Sequence, residues 1–102
     1  MEKRRPTYDL DAFKTAMTAP NGLAIAKVAL LNAAALGFSR ADIVATIASM
    51  ERKHFVKSMT SHDDHREWQD VYAVPAQGLM IYTKFRGDVV TEFRVLSFKE
   101  RG

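Results

Sequence analysis

Leu79-Met80-Ile81-Tyr82-Thr83-Lys84-Phe85-Arg86 alternates without a break between two kinds of side chain. Successive residues of a strand point to opposite faces, so Leu79, Ile81, Thr83 and Phe85 share one face and Met80, Tyr82, Lys84 and Arg86 share the other. The first set belongs in a core. The second is a row of cations beside an aromatic ring, which suits an RNA strand because the ring offers a stacking plane and the cations meet phosphates. Read alone, the same row also describes an ordinary solvated sheet face.

The surrounding half of the chain has the same character. From His54 onward β-branched and aromatic residues recur between turn signals, which predicts four strands, roughly Phe55–Ser61, Glu67–Val74, Leu79–Arg86 and Val89–Lys99. Pro75 to Gly78 and Gly87-Asp88 read as the connections. Before residue 51 the pattern is helical. A short extended piece at Tyr8-Leu10 leads into a helix over Ala12–Met17 with Asp11 as its cap, and Pro20-Asn21-Gly22 ends it. The alanine-rich run from Leu23 to Leu36 predicts a second helix, with Ala24, Val28, Leu31 and Ala35 at core-facing spacing and Gly37 as its stop. Ser39 and Asp42 form a capping-box signature ahead of an apolar stripe of Ile43, Ile47 and Met50 on a third helix. Helices first and strands after predict an α+β fold, three helices packed on a mainly antiparallel sheet.

A chain of 102 residues is expected to build one core and one domain, residues 1–102. Its composition, 47% apolar and 26% charged, is that of a folded globular domain rather than a disordered segment. No apolar run approaches the roughly 18 residues needed to span a bilayer. The opening Met1-Glu2-Lys3-Arg4-Arg5 is followed by no apolar signal core, so the expected compartment is the cytoplasm, with no membrane partner. The absence of cysteine excludes disulfides and thiolate zinc sites. A net charge of +3 and a pI near 9.4 favour polyanion partners, but the excess is modest for a protein that would hold nucleic acid by charge alone.

A few residues stand out as carriers of chemistry. Lys57 lies mid-strand between Phe55 and Met59, where a charge implies a solvated face or a cleft, or a lysine snorkelling to solvent. His62, Asp63, Asp64 and His65 bring imidazoles and carboxylates together, yet their spacing matches no established metal motif and the segment reads as a turn, so neither metal nor cofactor is expected. Asp64 could orient His65 or cap that turn. Gln69 could hydrogen-bond a base edge or a phosphate, or complete a buried backbone network.

Several blocks in a fixed order carry a family resemblance. Lys57-Ser58-Met59-Thr60, the run Asp64-His65-Arg66-Glu67-Trp68-Gln69-Asp70-Val71-Tyr72, an isolated Tyr82 and the terminal Ser97-Phe98-Lys99-Glu100 resemble the motility quorum-sensing regulator (MqsR) toxins. Met1-Glu2-Lys3-Arg4 and Ala29-Leu30-Leu31-Asn32-Ala33 extend the likeness toward the N-terminus. The resemblance implies a RelE-like toxin fold with a curved antiparallel sheet, and cleavage of messenger RNA without a metal. It implies Lys57, Gln69 and Tyr82 as catalytic residues, with Lys99 as the basic residue near the C-terminus. Lys84, Arg86, Lys99 and His65 are the expected RNA contacts. The implied partner besides mRNA is an antitoxin with a zinc-binding part and a DNA-binding part, through which alone operator DNA would be reached.

The chain also departs from the family pattern. Val56 stands where an aromatic is expected before the lysine, Tyr72 is followed by Ala73-Val74-Pro75 rather than an arginine, and the last hairpin is longer. Counting strictly from Phe98 puts Lys99 on the face of Val95 and Phe93, so its place in a site requires a bulge or a thinly covered face.

A metal-free ribonuclease can use the substrate's own 2′-OH as nucleophile, leaving the protein to move two protons and neutralise charge developing at phosphorus. Lys57 suits the charge role, and a tyrosine such as Tyr82, with an ordinary pKa near 10, suits an acid better than a base. The base is open between Lys57 and His65. The alternative from another class is a degenerate toxin homologue that holds RNA or antitoxin without cutting; the joint presence of Lys57, Gln69 and Tyr82 argues for the enzyme. Direct DNA reading lacks a recognition helix, because the alanine-rich helices have little polar surface.

Overall fold

A computed structural model describes residues 1–88 and 92–101. Among these residues one antiparallel sheet runs in sequence order through β1 (Glu2–Lys3), β2 (Phe55–Thr60), β3 (Trp68–Ala76), β4 (Leu79–Asp88) and β5 (Glu92–Glu100). Three helices, α1 (Leu10–Thr18), α2 (Lys27–Ala35) and α3 (Arg40–Ala48), cover one face of it, and a turn of 3-10 helix at Arg52–His54 leads into β2. This is the α+β architecture that the order of helical and strand patterns predicts. No single helix among the described residues is long and apolar enough to cross a membrane.

The core lies between helices and sheet. Phe13 of α1 stacks on Phe85 of β4 with ring centroids 3.7 Å apart, Phe93 meets both rings edge-on, and Tyr72 packs on Phe85 from the other side. Ile81, Thr83 and Phe85 are fully buried, as the alternation of β4 requires. Ile43, Ile47 and Met50 are fully buried too, although α3 ends at Ala48 and Met50 sits just beyond it. The capping box forms as expected: the amide of Asp42 donates to Ser39 Oγ and the amide of Ser39 donates to Asp42 Oδ2.

Several expected boundaries move, each for a physical reason. Asp9, not Asp11, caps α1 by accepting from the amide of Ala12, and Asp11 falls in the first turn. The second helix begins at Lys27, because residues 24–26 are extended and bind β5 instead: the amide of Val95 donates to Ala24 and the amide of Ala26 donates to Val95, both at 2.8 Å. The buried face of α2 is Ala29 and Ala33, while Val28 and Leu31 are 60% and 58% exposed. Small side chains let this helix lie close against β5, which the larger residues would prevent.

Gly87-Asp88 is strand rather than turn, pairing with Phe93 and Glu92. The glycine serves a close approach: a Cβ there would lie 2.9 Å from a ring carbon of Tyr8. The first residues of the expected strand Val89–Lys99, 89 to 91, lie outside the described residues. Pro75 and Ala76 also belong to a strand, since β2 begins only opposite Tyr72 and leaves the missing proline N–H no partner to disappoint. The β3–β4 turn is Gln77-Gly78, with φ of 52° and 78°, the positive pair that a two-residue hairpin favours.

β1 was not legible from the pattern, which gave no strand before Phe55. It pairs with β2 through Glu2 opposite Met59 and Lys3 opposite Ser58. Beyond it the chain crosses to the helix side, where the fully buried Asp70 carboxylate accepts from the amides of Thr7 and Tyr8.

Two one-residue bulges orient the remaining face. In β2 Phe55 pairs with Tyr72 but Lys57 pairs with Val71, so Val56 is extra; in β5 Val95 pairs with Phe85 but Ser97 pairs with Lys84, so Leu96 is extra. Each insertion reverses the alternation. Phe55 and Val95 thereby stay with the core, while Lys57 and Lys99 turn to the face away from the helices.

Candidate active site

On that face Lys57, Val71, Lys84 and Ser97 form one cross-strand row, and Tyr82 stands directly opposite Lys99 in the next. These six side chains line a single cavity of about 170 Å³. Three lysines and a phenol therefore converge from β2, β4 and β5 onto one small volume. The bulge required for Lys99 is the one found at Leu96.

The lysines differ in their surroundings. Lys57 Nζ donates to Glu2 Oε1 at 2.7 Å, and this bond, followed by the lysine's charge, holds the Glu2 carboxyl below its usual range. Lys84 forms neither ion pair nor hydrogen bond among the described residues. Burial first, and then the charge of Lys99, pull its amine below the ordinary lysine value; Glu67 opposes this and Lys57 adds to it. Lys99 is exposed at the rim. The guanidinium of Arg101 lies over the ring of Tyr82, 5.1 Å from its centroid.

Gln69 shares the face but not the cavity. It is buried, and its Nε2 donates to Glu67 Oε1 at 2.8 Å. The other oxygen of Glu67 accepts from Arg86 at 3.0 Å, and Asp88 lies 3.8 Å from both Arg86 and Arg94. Arg86 is thus built into an acid-bridged network beside the cavity. His65 is exposed in the loop after β2 and lines a separate recess with His62, Met59 and Glu2. Asp64 caps the turn, accepting from the amide and side chain of Arg66, and these bonds hold its carboxyl low. Among the described residues no group of three or more histidines and acids converges as a metal site would. Tyr72, the buried phenol, belongs to the opposite face, where burial pushes it up to about 12.

Reading the sequence missed Glu2, Glu67, Ser97 and Arg101 as neighbours of these groups. Glu67 was visible in the Asp64–Tyr72 block, and Arg101 follows the Lys99-Glu100 pair. Nothing in the sequence brings residue 2 beside residue 57.

Residues 5–100 match the family described as "Motility quorum-sensing regulator, toxin of MqsA". The chain belongs to this toxin family. A relative, the "mRNA interferase toxin MqsR" of Escherichia coli (strain K12), is 35% identical over 101 residues, covering 99% of this chain and 100% of the relative. In this member of the motility quorum-sensing regulator toxins, Lys57, Tyr82 and Lys99 gather at the cavity, Gln69 stands beside it and His65 stands apart.

Proposed function

We propose that this chain, as one domain over residues 1–102, is the toxin of a type II toxin–antitoxin pair: a metal-independent endoribonuclease that cuts mRNA at selected sequences and so blocks translation and growth. The observation that carries this reading is the convergence of Lys57, Tyr82, Lys84 and Lys99 on one cavity of the helix-free face. Family membership and the relative named as an mRNA interferase support it.

In the reaction, the 2′-oxygen of the substrate attacks the adjacent phosphorus and the bond from phosphorus to the 5′-oxygen breaks. Lys57 and Lys99 neutralise charge on the non-bridging oxygens, where pre-placed cations in a partly dry site act most strongly. Tyr82 gives its proton to the departing 5′-oxygen. Gln69, held by Glu67, contacts the RNA next to the reacting phosphate, as do Arg86 and, on a longer substrate, His65. The phosphate sites are already cationic, so no step requires a metal. The protein partner is a cognate antitoxin with zinc-binding and DNA-binding parts, operator DNA being reached only through it, and the site of action is the cytoplasm.

The test is incubation of the purified protein with a long RNA in excess EDTA, with both cut ends mapped. Cleavage that persists and leaves a 2′,3′-cyclic or 3′-phosphate opposite a 5′-OH is expected. Activity that disappears in EDTA and returns with a divalent metal overturns the mechanism, and RNA that is bound but left whole overturns the enzyme.

A further inference from the structure

Attack by the 2′-OH needs a group to take its proton, and neither residue considered for that task is well placed. Lys57 is bonded to the Glu2 carboxylate, and His65 lines a different recess. Resting on the ribonuclease reading above, we propose that Lys84 is the proton acceptor, a catalytic residue that works opposite Tyr82 across the reacting phosphate.

The geometry is that of two groups on one strand. Tyr82 and Lys84 are two residues apart on the same face of β4, which spaces their Cα atoms about 7 Å along the strand. In an in-line displacement the attacking and leaving oxygens lie on opposite sides of phosphorus, so acid and base must flank the phosphate. A phosphate seated between these two side chains meets that condition. Across the sheet Lys84 faces Val71 on one side and Ser97 on the other, short side chains that leave its amine open to the cavity.

The charged groups around Lys84 come from every neighbouring strand. Lys57, with Glu2 attached, lies beyond Val71; Glu67 precedes β3; Tyr82 and Arg86 share β4, with Asp88 farther along it; Arg94 stands opposite Arg86 on β5 and Lys99 diagonally on the same strand. Burial and the nearby lysines lower its proton affinity, against the opposing charge of Glu67, and this enlarges the neutral fraction that a base must supply. The neutral amine of Lys84 removes the 2′-OH proton as the bond from the 2′-oxygen to phosphorus forms. The bond from phosphorus to the 5′-oxygen breaks as Tyr82 delivers its proton there. The products are a 2′,3′-cyclic phosphate and a 5′-OH, with ammonium at Lys84 and phenolate at Tyr82, and solvent returns the proton from one to the other.

Lys84→Arg separates base from phosphate anchor, because the guanidinium keeps the charge and gives up no proton in the working range. Single-turnover cleavage in EDTA, measured from neutral to alkaline pH, should show a wild-type rate that rises with pH as Lys84 loses its proton. Lys84→Arg should cut about a hundredfold or more slowly, the scale of general acid–base loss. Its binding to an RNA with 2′-deoxy substitution at the cut site should be unchanged. Lys84→Arg that cuts at the wild-type rate overturns the assignment alone, whereas wild-type protein that leaves RNA whole removes the ribonuclease reading and the assignment with it. If Lys84→Arg does not fold, Lys84→Ala carries the test: rate restored by a small primary amine supports the base, and no restoration overturns it.

Discussion

Tyr82 on β4 stands directly opposite Lys99 on β5, and it does so because Leu96 is an extra residue in β5. Deleting Leu96 turns the bulge into a regular ladder in which Phe93, Val95 and Phe98 keep the core face and Ser97 and Lys99 keep the other, so Tyr82 retains Lys99 opposite it. The cost should stay within the ordinary range of a single change, about 0.5–3 kcal/mol. Urea unfolding should show a loss of that size, with RNA cleavage retained. A loss above about 4 kcal/mol together with loss of cleavage would mean that the bulge itself, and not only the phase it sets, is required for the fold.

Lys57→Ala removes one cation from the cavity and one ion pair from the surface. The pair with Glu2 is partly exposed, with 36% and 59% of the side chains accessible, so its removal should change stability by no more than about 1 kcal/mol. Cleavage should fall by roughly a hundredfold or more, as for loss of one transition-state contact. Melting and rate measured on the same preparation check both halves, and a variant near wild type in rate would return this face to a binding role.

Val56→Tyr tests whether a ring beside the lysine reads a base. Val56 is the bulged residue of β2, half-buried and outside the core cluster, so the larger ring should change stability by less than about 0.5 kcal/mol rather than overpack the interior. A ring there should tighten RNA binding or sharpen the cut-site consensus, on the scale of about 1–3 kcal/mol per stacked base. A cut-site profile indistinguishable from wild type, with a lowered melting temperature, would falsify this.

The start of α3 gives a pH-dependent prediction. Bonds from the backbone and side chain of Ser39 hold the Asp42 carboxyl below its usual 3.8. A depressed carboxyl favours the folded state fully above its ordinary pKa, and its contribution fades as acid titrates it through the lowered value. Ser39→Ala removes the N-cap side chain and should cost about 1 kcal/mol at neutral pH. Part of that difference should vanish in strong acid. A gap between the two proteins that stays constant from neutral to strongly acidic solution would show that the Ser39 side chain does not act through the charge of Asp42.

What the sequence made legible was whatever a local period can express. The alternation from Leu79 to Arg86 separated a buried face from a cationic one, and the Ser39–Asp42 spacing marked a helix start; both are set by neighbours a few residues away. The grouping of the candidate site was legible in part, since the resemblance named Lys57, Tyr82 and Lys99, which line one cavity. Their shared orientation was not readable, because it depends on single extra residues at Val56 and Leu96 that only pairing with β3 and β4 defines. The Glu2–Lys57 pair and the binding of residues 24–26 to Val95 join distant parts of the chain. No window along the sequence contains both members. Gly87 was read as a turn because its spacing fits one, whereas it answers to the ring of Tyr8.

The extended piece at residues 24–26 has a consequence for life in a crowded solution. A bare outermost strand offers unpaired amides and carbonyls as a template on which another chain can add itself, the first step toward swapped dimers and fibrils. At β5 that template is occupied near its middle, because Val95 already exchanges both of its backbone bonds with Ala24 and Ala26. At the opposite border β1 is a two-residue strand, too short to nucleate much pairing. Self-association through strand addition is thus discouraged at both borders, and the cationic face stays available to its ligands.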